Sequence, residues 1–76
     1  MNDKLMLLRA SEVIIGDRIG KLVASRFVEY GKVDSVEHIG AIVRLRVDTG
    51  VGLRWHRSGE RHLYYADPSP LREVQS

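Results

Sequence analysis

The stretch that most limits what this chain can become is Ala41–Trp55, AIVRLRVDTGVGLRW. Apolar and polar residues alternate on both sides of Asp48-Thr49-Gly50, with the two-residue period of a β-strand. A three-residue loop fits there, a type I turn closed by a left-handed glycine at Gly50. It predicts Val47 opposite Val51, Leu45 opposite Leu53 and Val43 opposite Trp55, all on one side of the sheet. The other side then carries Arg46 beside Gly52, Arg44 beside Arg54, and Ile42 beside His56. One face is a core. The other sets two arginines directly across from each other.

The segments around this hairpin also read as strands. Lys4–Ala10 is apolar at Leu5, Met6, Leu7 and Leu8, and a strand is favoured over a short helix because the chain soon turns. Gly16-Asp17 marks that turn, and Arg18–Ala24 offers Ile19, Leu22 and Val23 to a second strand, bent or bulged at Gly20. Phe27–His38 breaks alternation, since Val33 and Val36 are three apart. Pairing it with Ala41 onward through a turn at Ile39-Gly40 sets Val36 against Val43. A bulge at Asp34-Ser35 then brings Val33 to Leu45 and Gly31 to Val47. Without the bulge, Asp34 would enter the core with no partner.

Beyond Trp55 the chain turns near Ser58-Gly59-Glu60, and two registers compete. A Ser-Gly loop pairs Arg57 with Glu60 but turns Leu63 to the Arg54 side. A three-residue loop puts Leu63 beside Trp55 and Tyr65 beside Leu53, facing Arg57 with Arg61. Burying Leu63 contributes roughly 1.5–3 kcal/mol, against roughly 0.2–1 kcal/mol for a cross-strand charge pair. The second register is therefore expected, with Arg54, His56, His62 and Tyr64 on one face. Asp67-Pro68-Ser69-Pro70 ends the sheet, because proline cannot donate to a ladder. Residues 1–66 are read as one all-β domain of five or six antiparallel strands. Residues 67–76 are read as a frayed tail with a short helical turn through Leu71 and Val74.

A 76-residue chain buries only about 60% of its unfolded surface. It has no cysteine to staple it, which fits a reducing cytoplasm and excludes thiolate zinc sites. No run approaches the roughly 18 apolar residues of a membrane span. The net charge of +2 is concentrated in residues 41–66, where all five basic residues are arginine, against Asp48 and Glu60. Arginine suits bidentate contact with phosphate or carboxylate.

Gly16-Asp17-Arg18-Ile19 resembles the Gly-Asp-x-Ile entry to a barrel strand. Gly31-Lys32-Val33-Asp34-Ser35-Val36 is similar to the Gly-x-Val-x-x-Val core of KOW-type barrels within the SH3-like group. The resemblance covers about residues 11–66 and implies a small SH3-like barrel with a habit of binding RNA or protein. This chain departs from the pattern in carrying most of its basic charge after the motif, on the central hairpin.

The candidate binding residues are Arg44, Arg46, Arg54, His56, Arg57, Arg61, His62 and Tyr64, with Lys32 at the border. Like charges across a sheet are destabilising, so Arg44 and Arg54 need a counterion. Asp34 or Glu37 supplies it internally, or an external anion does. Trp55 is expected in the core with Val43 and Leu63, while Tyr64 alternates outward and suits stacking on an unpaired base. Tyr30, Tyr65 and Phe27 are expected in the core or at its rim. His56 facing His62 lacks the further ligands of a zinc site, so no metal and no cofactor is expected. No nucleophile elbow, phosphate loop or paired-carboxylate spacing is present, and an enzyme is not expected. The chain reads as a binding module for nucleic acid or another polyanion. The alternative is a protein-interaction or regulatory module, such as a homodimer formed by a sheet edge or exposed aromatics. Compact chains of this size and style are also typical of phage accessory proteins.

Overall fold

Ile19, Val33, Val43, Leu45 and Val47 are fully enclosed and form the centre of the core, joined by Leu8, Val13, Tyr64 and Ala66. They come from six antiparallel strands in the computed structural model, which describes residues 5–72. The strands are β1 (Met6–Arg9), β2 (Arg18–Val23), β3 (Arg26–Ile39), β4 (Ile42–Asp48), β5 (Leu53–Gly59) and β6 (Leu63–Asp67). A 3₁₀ turn, Ala10–Glu12, follows β1. The sheet order is β1-β6-β2-β3-β4-β5, and the sheet curls into a half-barrel of the small SH3-like kind.

The curl has visible local causes. At Gly20 the β2–β3 register slips, because Ile19 pairs with Gly31 while Gly20 pairs with Glu29. A Cβ at Gly20 would run into the Val28 carbonyl and the Glu29 Cα, so only glycine lets the strands approach so closely. A second bulge lies at Asp34, where Val33 pairs with Val47 and Ser35 with Arg46. It keeps Val33 inward and gives Asp34 a place outside, as the spacing of Val33 and Val36 requires. The register beyond it differs from expectation by two residues. Val36 faces Leu45, His38 faces Val43 and the turn is Gly40-Ala41. Gly31 faces Ile19 across β2 rather than Val47 across β4. An even shift leaves every side chain on its expected face.

The β4–β5 register is a correction of a different kind. Asp48 pairs with Leu53, Arg46 with Trp55, Arg44 with Arg57 and Leu45 with His56. The connection is four residues, Thr49–Gly52, and it is stabilised by its own polar groups. Asp48 Oδ1 accepts from Gly50 N at 2.9 Å, and Thr49 Oγ1 donates to the Gly52 carbonyl at 2.9 Å. These local bonds favour the wider loop. The offset from the expected register is odd, so β5 presents its opposite face throughout. Val47 faces Arg54 rather than Val51, and Val43 faces Ser58 rather than Trp55. Leu53 and Trp55 leave the core and are 57% and 43% exposed.

The expected β5–β6 hairpin is absent as well. β6 pairs with β1, Leu8 against Tyr64, and with β2, Ile19 against Ala66. Leu63 and Tyr65 therefore lie away from Trp55 and Leu53, and neither expected loop forms. Burial decides this too: β6 as a shared strand encloses Tyr64 and Ala66 together with Leu8 and Ile19. Side chains rather than a ladder bridge the open side. Tyr30 of β3 stacks on His56 of β5, centroids 5.1 Å apart, and the Tyr64 hydroxyl donates to Ser58 Oγ at 3.2 Å.

Past β6, Ser69 is buried and its N–H donates to Asp17 Oδ1 at 2.7 Å. Arg72 donates to the same carboxylate from Nε at 3.0 Å and from Nη2 at 2.6 Å. Residues 68–72 thus lie against the turn that opens β2. Val74, expected in a helical turn, lies outside the described residues.

Candidate nucleic-acid interface

The outward side of β3, β4 and β5 is built in rows fixed by the two registers. Ile39, Ile42 and Gly59 form one row, and Glu37, Arg44 and Arg57 the next. Ser35, Arg46 and Trp55 follow, then Lys32, Asp48 and Leu53. The expectation of two arginines facing each other across the hairpin holds in kind, with a different partner. Arg44 faces Arg57, and Arg54 lies on the other side, opposite Val47.

The counterions are internal for the two arginines of β4. Arg44 Nη1 lies 3.2 Å from Glu37 Oε1, and Arg46 Nε donates to Asp34 Oδ1 at 2.7 Å. Both pairs are somewhat more than a third exposed, and such pairs contribute about 0.2–1 kcal/mol each. Among the described residues, Arg54, Arg57 and Arg61 form no ion pair. Trp55, across the ladder from Arg46, lies close to both paired arginines. The Arg44 guanidinium carbon is 4.3 Å from the ring centroid and that of Arg46 is 5.8 Å. Both distances are within cation–π range.

The other predicted site residues disperse. His56 turns inward onto Tyr30, and Arg61 and His62 sit at the exposed turn between β5 and β6. His62 meets Tyr64 edge to face at 4.8 Å rather than His56. Tyr64 is 5% exposed and belongs to the core, so the stacking role read for it has no surface to act from. Tyr30, Tyr65 and Phe27 are half-buried, at the rim. The aromatic residue that reaches the arginine face is Trp55, which sequence reasoning had placed inside. The signal that marks it is Asp48-Thr49, whose side chains close the four-residue connection onto Gly50 N and the Gly52 carbonyl.

His56 has an unusual setting. Its Nε2 atom is enclosed without a hydrogen-bond partner, although the residue as a whole is only half-buried. Burial, then the nearby Arg54 charge, lower its pKa from the ordinary 6.5. The folded state therefore takes up this proton at lower pH than the unfolded chain. Stability that is full above about pH 6.5 is lost as pH falls through the lowered value. The melting temperature of the native chain is expected to drop between pH 7 and pH 5. In His56→Gln that drop should be smaller, and an identical drop in both chains would dissociate it from His56.

Among the described residues, no cluster of His, Asp and Glu is arranged to hold a metal ion. No helix there is long and apolar enough to cross a membrane. The fold and the site together define a small SH3-like β-barrel with an arginine and tryptophan surface on its open-edge hairpin. Compared with known proteins, the chain matches no family model, no curated protein and no solved structure.

Proposed function

We propose that this chain is a non-enzymatic binding module for nucleic acid or another polyanion, acting through the outward face of β4 and β5. The observation that carries the reading is the register that sets Arg57 beside Arg44 and Trp55 beside Arg46. It gathers three guanidinium groups and a solvent-facing indole on one surface. The KOW-type resemblance supports it further. The residues that carry it, Gly31–Val36, form the bulged part of β3 next to this face, with Asp34 holding Arg46. Work in a reducing cytoplasm suits a chain without cysteine.

Arg57→Gln tests the reading, with Arg54→Gln as control on the other side of the strand. Arg57→Gln is expected to leave the free protein equally stable, or more stable by a few tenths of a kcal/mol, since it relieves a like-charge pair. It should weaken oligonucleotide binding and lower the salt dependence by about one phosphate contact. Arg54→Gln should change neither. Equal weakening by both variants would remove the outward face as the site.

A protein-interaction module is the second reading, favoured by Leu7 and Leu63, which project outward from the β1–β6 pair and are more than half exposed. Binding through that surface would respond little to salt, whereas phosphate binding weakens steeply as salt rises.

A further inference from the structure

We infer that the ligand of this face is a single strand, engaged one nucleotide at a time with its base on Trp55 and its phosphate on Arg44. Glu37 is then the internal counterion that the phosphate displaces. The inference rests on the polyanion reading and adds to it a ligand class and a residue that opposes binding.

Arg44 makes two contacts, and each resembles one half of a nucleotide. Its guanidinium group meets the Glu37 carboxylate at 3.2 Å and lies 4.3 Å from the Trp55 ring centroid. A guanidinium fork takes carboxylate and phosphate oxygens with the same donors. An indole face that accepts a flat, delocalised cation also accepts a flat base. Both contacts are open to water, where ion pairs and cation–π contacts contribute little. A nucleotide therefore replaces each with one of the same type at small cost.

The neighbouring groups fit that exchange. Arg57, directly across from Arg44, has no acidic partner among the described residues and faces the adjacent phosphate. Arg46 is held differently. Its Nε donates to Asp34 Oδ1 at 2.7 Å, a bond that secures the bulge and keeps the Trp55 row in place. A duplex keeps its bases stacked inside and offers this indole nothing to stack on, so the ring contributes only with unpaired bases.

The test uses the full chain with a twelve-residue oligothymidylate, a duplex of the same length and inorganic polyphosphate, each titrated over a salt series. Trp55 is the chain's sole tryptophan, so its fluorescence reports stacking directly. The native chain is expected to bind the oligothymidylate with quenching and the duplex more weakly without it. Glu37→Gln should bind the oligothymidylate about 3- to 10-fold more tightly. Its salt dependence should be no shallower than that of the native chain, because the same phosphate sits on Arg44 in both. Trp55→Leu should lose most of its affinity for oligothymidylate and keep its affinity for polyphosphate. Melting curves for each variant confirm that it is folded.

Binding by the native chain without tightening in Glu37→Gln would overturn the exchange and leave the polyanion reading standing. Absence of quenching, or equal affinity for duplex, would overturn base stacking. If neither the native chain nor Glu37→Gln binds any of the three at low salt, the polyanion reading falls with it.

Discussion

Leu45→Ala is expected to cost about 2–5 kcal/mol, while Leu53→Ala changes stability by no more than about 0.5 kcal/mol. Leu45 is fully enclosed, flanked along β4 by Val43 and Val47, with Val36 across one ladder and His56 across the other. Leu53 projects outward from an edge strand. Two leucines on the two arms of one hairpin thus differ by most of a core side chain. Domains of this size have about 5–15 kcal/mol of stability in all, so the first change approaches the limit of folding. Urea denaturation of both variants decides the matter. Similar losses for both would mean that β5 lies in the other register, with Leu53 against Leu45.

The second large effect is expected at Asp17, a fully buried carboxylate. It accepts from Ile14 N at 2.9 Å, from Ser69 N at 2.7 Å and from two nitrogens of Arg72. Arg72 also donates from Nη2 to the Glu12 carbonyl at 2.7 Å. Breaking a buried pair by removing one partner costs about 3–5 kcal/mol, because the remaining groups lose their partners without regaining water. Asp17→Ala should fall in that range. Adding Arg72→Met should cost much less than its effect alone, since the two changes remove one shared network. Strict additivity in the double variant would show that the clasp does not act as a unit.

Particular residues show how far the sequence alone leads. Val33 and Val36, three apart, place the Asp34 bulge without reference to any other strand, because a buried carboxylate without a partner is so costly. Gly20 marks the place where β3 bulges at Tyr30 against β2, since a side chain there would run into Val28 and Glu29 of the neighbouring strand. The core residues of β3 and β4 follow from alternation, as does the all-β class. Glu37 and Asp34 were legible as counterions for the arginine face, although Asp34 was read toward Arg44 and in fact holds Arg46.

Alternation failed at β5, where it rewards apolar residues for facing apolar residues. In an open sheet the edge strand need not obey that rule. Arg54, His56 and Ser58 lie over Val47, Leu45 and Val43, and the apolar side of the strand faces out. The same step misplaced Trp55, and the candidate site proposed around it was hidden accordingly. The position of β6 was unreadable for another reason. Its partners are β1 and β2, far away in sequence, and no local pattern records a distant partner. The β2–β3 turn carries no signature either. Ala24 and Ser25 both adopt positive φ, 50° and 65°, where Asn-Gly is the usual marker.

The arrangement of β6 between β1 and β2 also bears on how the chain reaches this state. β2 to β5 form consecutive hairpins, each closing a short loop. The β1–β6–β2 seam and the Asp17–Arg72 contact, 55 positions apart, close the longest loops in the fold. Closure entropy rises with loop length, and contacts distant in sequence slow the search for the native state. The meander therefore has a rapid route to its own pairing, whereas the seam must wait for nearly the whole chain. During synthesis, Ile19 and Leu8 stay uncovered until β6 has emerged and docked, so the order of the strands in space sets the order of events in time.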